Sequence, residues 1–298
     1  MAILVDARSR ILIQGITGET GRAYAARMVA AGTPLVGGTS PGKAGQAVEG
    51  VPVFATIAEA VAATGADCVL SSVRPAAALA AMTEVFEAGI RVAVLYTENV
   101  PVHDAMRMRA LARARGACLL GPNSAGVISP GRANLADLND ARVRAGRIGV
   151  VSKSGTLTYE VIDGLHAEGL GESTVVCLGG DPVVGTGFAE ILRLFEADPG
   201  TDAVVLVGEP GGAMEHEAAA VVRTMRKPVV AYVTGQRAPP AKRMGHAGAV
   251  SGAGAEATTA AAKLAALRSA GCTGVDIVTD VGAAMVAALA ARRGAHAS

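Results

Sequence analysis

His246 is the side chain in this sequence best placed to do chemistry. It lies in the run Ala241-Lys242-Arg243-Met244-Gly245-His246-Ala247-Gly248-Ala249-Val250. The small neighbours give the imidazole little cover, so a large polar reactant can approach it, and Lys242 and Arg243 put two cations just upstream. A structural histidine more often sits inside an apolar periodic segment. A second cluster, Val151-Ser152-Lys153-Ser154-Gly155-Thr156-Leu157-Thr158-Tyr159-Glu160, reads from strand into helix. Ser154 and Thr156 are N-cap candidates, and the free N–H groups around Gly155 suit an anion; capping alone is the competing reading. The third feature is Glu209, framed as Gly208-Glu209-Pro210-Gly211-Gly212 after an apolar run. It is either a solvated loop carboxylate or the partner of one His246 ring nitrogen, which leaves the other as a nucleophile. Together, anion cradle, oriented histidine and cations suit phosphoryl transfer.

The first half carries a different kind of site. Gln14-Gly15-Ile16-Thr17-Gly18-Glu19-Thr20-Gly21 closes one predicted strand and opens a helix. Its glycines are spaced G-x-x-G-x-x-G, which departs from the G-x-G-x-x-G of dinucleotide sites. Backbone N–H groups at such a turn still approach phosphates, and the helix start adds positive potential. Lys43 follows the second strand, and Tyr96, Thr97 and Glu98 follow the fourth, at the sheet edge where open α/β sheets bind ligands. These residues point to a nucleotide-containing ligand other than NAD. A turn that only packs helix on strand is the alternative.

Alternating elements must position both sites. Strands are predicted at Ile11–Ile16, Pro34–Gly38, Ala66–Val73, Arg91–Tyr96 and Ala117–Leu120, with helical runs between them. A polar stretch over 129–147 reads as a linker. Strands resume at Arg147–Val151, Ser173–Cys177, Ala203–Val207, Pro228–Val233 and Val275–Val278. Continuous apolar strands separated by helices indicate parallel sheets covered on both faces, here two α/β domains in tandem. The chain is 51% hydrophobic but 3% aromatic, with no Trp and a net charge of +1. That composition offers neither a stacking platform nor a basic face for nucleic acid or membrane. No apolar span is long enough to cross a bilayer. Cys68, Cys118, Cys177 and Cys272 are far apart and read as reduced thiols in a cytoplasmic protein, with no metal site.

With these residues in view, the chain resembles the alpha subunits of succinate–CoA ligase nearly end to end. The anchors are Ser152 to Glu160, Gly179-Gly180-Asp181-Pro182, Gly208-Glu209, and Lys242 to Ala249. The resemblance implies a Rossmann-like CoA-binding domain over 1–122 and a flavodoxin-like ligase domain over 123–298. It implies a partner beta subunit with an ATP-grasp site for the magnesium complex of ATP or GTP, in an αβ or (αβ)₂ assembly, within the tricarboxylic acid cycle. His246 becomes the phosphohistidine and Glu209 its carboxylate partner. Ser154, Gly155 and Thr156 help to hold phosphate, and Tyr159 takes the carboxylate-substrate position. Coenzyme A falls to Thr17, Gly18, Glu19, Thr20, Lys43, Tyr96, Thr97 and Glu98. The sequence departs from the family at Arg22-Ala23-Tyr24, usually Thr-Phe-His, at Asn99, commonly Gly, and over Arg132–Val143 and Gln236-Arg237. A related ligase for malate or another dicarboxylate is the nearest competing reading. An NAD-dependent oxidoreductase and a catalytically silent CoA-binding regulator are the others.

Overall fold

The computed structural model describes residues 2–236, 245–250 and 256–297. The chain forms two compact units. The first holds Leu4–Asp140 with Val183–Thr186, and the second holds Ala141–Pro182 and the chain from Gly187, with the N-terminal residues up to Ile3.

In the first unit the strands are β1 (Ile11–Gln14), β2 (Leu35–Thr39), β3 (Ala47–Val48), β4 (Val51–Phe54), β5 (Cys68–Ser71), β6 (Val92–Leu95) and β7 (Cys118–Leu120), followed by β8 (Gly126–Ser129) and β9 (Ala133–Ala136). Helices α1 (Glu19–Ala30), α2 (Ile57–Thr64), α3 (Ala78–Glu87) and α4 (Val102–Ala114) lie between them in sequence. Every residue of β1, β5 and β6 is buried, as expected for parallel strands covered on both faces. The sheet order is β3-β4-β2-β1-β5-β6-β7, parallel except for the β3–β4 hairpin. From β4 to β7 this is the Rossmann order, with its switch point between β1 and β5.

The expected linker over 129–147 is not a linker. Ser129 ends β8, which pairs with β9 as an antiparallel hairpin, and β10 begins at Ala145. Side-chain bonds tie the hairpin to the first unit: Ser129 Oγ donates to Val5 O (2.8 Å), Asn134 N–H to Thr33 Oγ1 (3.2 Å), and Arg27 to Asp137 O (3.0 Å). The first compact unit includes this hairpin and runs to Asp140.

In the second unit the strands are β10 (Ala145–Ser152), β11 (Glu172–Cys177), β12 (Ala203–Gly208), β13 (Val229–Val233) and β14 (Thr273–Val275). The helices are α5 (Gly155–Ala167), α6 (Phe188–Ala197), α7 (Met214–Val222), α8 (Ala260–Ser269) and α9 (Val281–Ala297). The order β14-β13-β12-β10-β11, parallel throughout, is flavodoxin-like. The last strand lies earlier than predicted. Pairing with β13 stops at Val275, Ile277 faces solvent, and Val278–Asp280 is a short 3-10 turn. Cys68, Cys177 and Cys272 are buried, Cys118 is half-buried, and all four are free thiols. No helix among the described residues is long and apolar enough to cross a membrane.

Candidate active site

Parallel strands end at one edge, and the second unit concentrates charge there. Ser152 of β10 pairs with Cys177 of β11 and with Val207 of β12, so the residues just past β10 and β12 leave the sheet side by side. Lys153 Nζ lies 2.8 Å from Glu209 Oε1. His246 Nδ1 lies 2.6 Å from Glu209 Oε2. Both carboxylate oxygens are thus engaged, one by an ammonium and one by the imidazole. Glu209 is 2% exposed and Lys153 7%, so their charges must be paired to be tolerated. The His246 side chain keeps 28% of its surface open. A proton on Nδ1, held by the carboxylate, leaves the Nε2 lone pair available.

The ring also has a seat. A Cβ at Gly180 would stand 2.6 Å from both Cδ2 and Nδ1 of His246, so only glycine lets the imidazole lie there. Gly248 N–H donates to Gly180 O at 3.0 Å and fixes the loop that carries the histidine. Behind Glu209 lies a second buried pair. Glu215 Oε1 accepts from Glu209 N–H at 3.0 Å, and Lys263 Nζ donates to Glu209 O at 2.8 Å. Lys263 also meets Glu215 Oε2 at 2.5 Å and donates to Gly211 O. Burial pulls the Lys263 ammonium below the usual lysine range, and the Glu215 carboxylate opposes that shift.

Helix α5 starts two residues after Lys153. Ser154 is its N-cap, and its Oγ accepts from Leu157 N–H at 3.2 Å. Gly155 and Thr156 occupy the first turn, where backbone N–H groups lack intrahelical partners. The helix buries Thr158, Val161, Ile162 and Leu165, an apolar stripe that fixes its rotation. Tyr159 is half-buried, with the Arg142 guanidinium 5.5 Å from its ring centre. Lys242 and Arg243 lie outside the described residues.

At the carboxyl edge of the first unit, Gln14 pairs with both Thr39 and Ser71 across the switch point. Gly18 is the N-cap of α1, and Glu19 and Thr20 are exposed in or beside its first turn. Gly21 is required by space: a Cβ there would stand 2.7 Å from Ile16 Cα. Thr17 Oγ1 lies 2.5 Å from Ser40 Oγ. Lys43, Tyr96 and Glu98 are exposed, whereas Thr97 is buried and its hydroxyl donates to Val73 O. Tyr96 packs edge-on to Tyr24 (5.7 Å, 76°), so the unusual Arg22-Ala23-Tyr24 segment places a ring beneath it. Burial holds the Tyr24 phenol well above the ordinary tyrosine range. Asn99 has φ 58, a left-handed conformation that Gly and Asn adopt most readily, which accommodates its departure from the expected glycine.

Residues 6–99 match the CoA binding domain family, and residues 151–272 match the CoA-ligase family. The chain is 48% identical over 281 residues to a succinate–CoA ligase [ADP-forming] subunit alpha of Archaeoglobus fulgidus, covering 94% of this chain and 96% of that protein. It is 44% identical to the corresponding subunit of Aquifex aeolicus, covering 95% and 93%. The chain belongs to the succinate–CoA ligase alpha-subunit family. Among solved structures, the ATP citrate lyase of Methanothrix soehngenii, in complex with citrate and coenzyme A, shares the fold with a TM-score of 0.89 at 24% identity. That likeness covers 99% of this chain but only 52% of the lyase chain.

Within this family framework, the structure brings His246, Glu209 and Lys153 into contact, and Ser154 and Gly155 follow Lys153 at the start of α5. Sequence reasoning quoted Lys153 and Gly180 but gave neither a role, and it passed over Glu215 and Lys263. The last two carry a readable signal. Lys263 occupies the buried face of α8 with Ala260, Leu264 and Leu267, and Glu215 that of α7 with Ala218, Ala219 and Val222. A charged residue on an apolar stripe needs a buried partner.

Proposed function

We propose that this chain is the catalytic alpha subunit of an NDP-forming succinate–CoA ligase and that it passes a phosphoryl group through His246. The observation that carries the proposal is the 2.6 Å contact between His246 Nδ1 and the buried carboxylate of Glu209. Phosphate attacks the thioester carbonyl of succinyl-CoA; the C–S bond breaks, giving succinyl phosphate and CoA. His246 Nε2 then attacks phosphorus, the P–O bond breaks, and succinate leaves as a carboxylate. Nδ1–H stays on Glu209 Oε2, so the phosphorylated ring keeps its partner. Transfer of the phosphoryl group to ADP or GDP, on an ATP-grasp beta subunit, regenerates the imidazole. Each step is reversible.

Supporting groups divide the work. The α5 start at Ser154, Gly155 and Thr156 offers N–H groups and a positive helix end to phosphate. Tyr159, one turn along, serves the carboxylate substrate. In the first unit Thr17, Gly18, Glu19, Thr20, Lys43, Tyr96, Thr97 and Glu98 hold coenzyme A, with Thr97 acting through the loop it braces. Four free thiols accord with a reducing, cytoplasmic setting.

The test is labelling. Incubation of the αβ pair with γ-labelled ATP and magnesium should give acid-labile, base-stable label on this chain. His246→Asn should abolish it while leaving CoA binding unchanged. Label retained in that variant overturns the assignment.

A further inference from the structure

The ion pair behind Glu209 does more than fill the interior, an inference that rests on the phosphohistidine reading above. Lys263 is completely buried, and Glu215 is 1% exposed. Burying two charges costs hydration and side-chain entropy, and apolar residues of similar size commonly serve stability as well or better. The pair therefore asks for a reason beyond packing. Its geometry supplies one. The Lys263 ammonium has three protons and three acceptors: Glu209 O, Gly211 O and Glu215 Oε2. Glu215 Oε1 takes the Glu209 N–H. One charged pair thus holds the Glu209 backbone at both its N–H and its C=O. At the tip of the same side chain, Lys153 takes Oε1 and leaves Oε2 to His246. Two carboxylates and two ammoniums balance, so the cluster is neutral while the imidazole is.

We propose that Lys263 and Glu215 are positioning residues for phosphoryl transfer: they clamp the Glu209 peptide so that its carboxylate reaches His246 in one orientation. Neither touches a reactant. Their whole effect runs through Glu209.

A double-mutant cycle separates this role from a structural one. The αβ pair carrying Lys263→Met, and the pair carrying Glu215→Gln with Lys263→Met, are compared with wild type by rapid-quench labelling from γ-labelled ATP. The double replacement keeps an oxygen for the Glu209 N–H and leaves no unpaired buried charge, so it covers the case in which Lys263→Met alone fails to fold. Labelling should slow by about 10- to 100-fold, with KM for ATP and the Kd for CoA unchanged. In a Glu209→Gln background the same substitutions should cost less than about two-fold, because the group they aim has lost its charge. Additive losses in the two backgrounds, or wild-type rates in the folded variants, overturn the positioning role. Absence of label on wild type overturns the phosphohistidine reading instead.

Discussion

The two strand-end sites are built in opposite ways. At the edge of the first unit Glu19, Thr20, Lys43, Tyr96 and Glu98 are exposed, and the observed bonds are short local braces: Thr17 with Ser40, Thr97 with Val73. At the edge of the second, the charges are buried and interlocked, and the imidazole lies on a glycine. A large ligand such as CoA brings its own charges and many contacts, so its site can be a surface of backbone and mobile polar groups. A nucleophile must present one lone pair in one direction, so its freedom is removed before any reactant arrives. Tolerance to change should follow the same division.

The sharpest way to break that comparison is Gly180→Ala. The new methyl would stand 2.6 Å from two ring atoms of His246, so the ring must leave its seat. A displacement on the order of 1 Å costs about 10²-fold in rate, and labelling of the αβ pair should fall by that much with CoA affinity intact. Near-normal labelling would mean that the histidine acts from another position. Glu209→Gln comes next. It keeps the shape and an acceptor but removes the charge, so labelling should slow about 10- to 100-fold rather than stop. A rate equal to wild type, measured by rapid quench, would remove Glu209 from the mechanism.

On the other side of the comparison, Lys43→Ala should be mild. Lys43 is exposed, and one solvated charge contributes no more than about 1 kcal/mol, roughly five-fold in the Kd for CoA, and less at high salt. Calorimetric titration at two ionic strengths checks both statements. A loss of 100-fold, insensitive to salt, would mean that the first site is as interlocked as the second.

This division also explains what the sequence made legible. Both sheets and most strands could be read, because fully buried parallel strands appear as unbroken apolar runs such as Ile11–Gln14 and Ala203–Gly208. The hairpin of Gly126–Ser129 and Ala133–Ala136 could not, since Ala-Asn-Leu-Ala has little strand propensity and forms one through its partner and through Thr33. His246 and Glu209 were legible as a pair by chemistry, although 37 residues separate them. Lys263 and Glu215 were not paired by reasoning, because their meeting depends on how α7 and α8 pack beside β12 and β13. The residues proposed for CoA could be read only as a group of strand ends; that Thr97 spends its hydroxyl on Val73 O needed the loop geometry.

The smallest expected effect tests whether burial, rather than charge alone, gives the second site its character. Arg147 and Asp202 sit at the opposite, amino-terminal edge of the same sheet, beside the starts of the Ile148 and Ala203 segments that pair there. Their geometry is good, with Nε to Oδ2 at 2.6 Å and Nη2 to Oδ1 at 2.7 Å. Yet the side chains are 55% and 42% exposed, so water screens what the geometry offers. Hydrogen bonding and charge from Arg147 hold the Asp202 carboxyl below its ordinary range, despite a partial desolvation cost. A carboxyl lowered in the folded state stabilises the fold above its unfolded pKa, near 4, and that contribution is lost as pH falls through the folded value. Asp202→Asn should therefore cost at most about 1 kcal/mol at pH 7, and the penalty should fade in acid. Urea unfolding of both proteins from pH 7 to pH 3 measures it. A penalty of several kcal/mol, or one that persists unchanged in acid, would show that an exposed pair in this sheet is as consequential as the buried one behind Glu209.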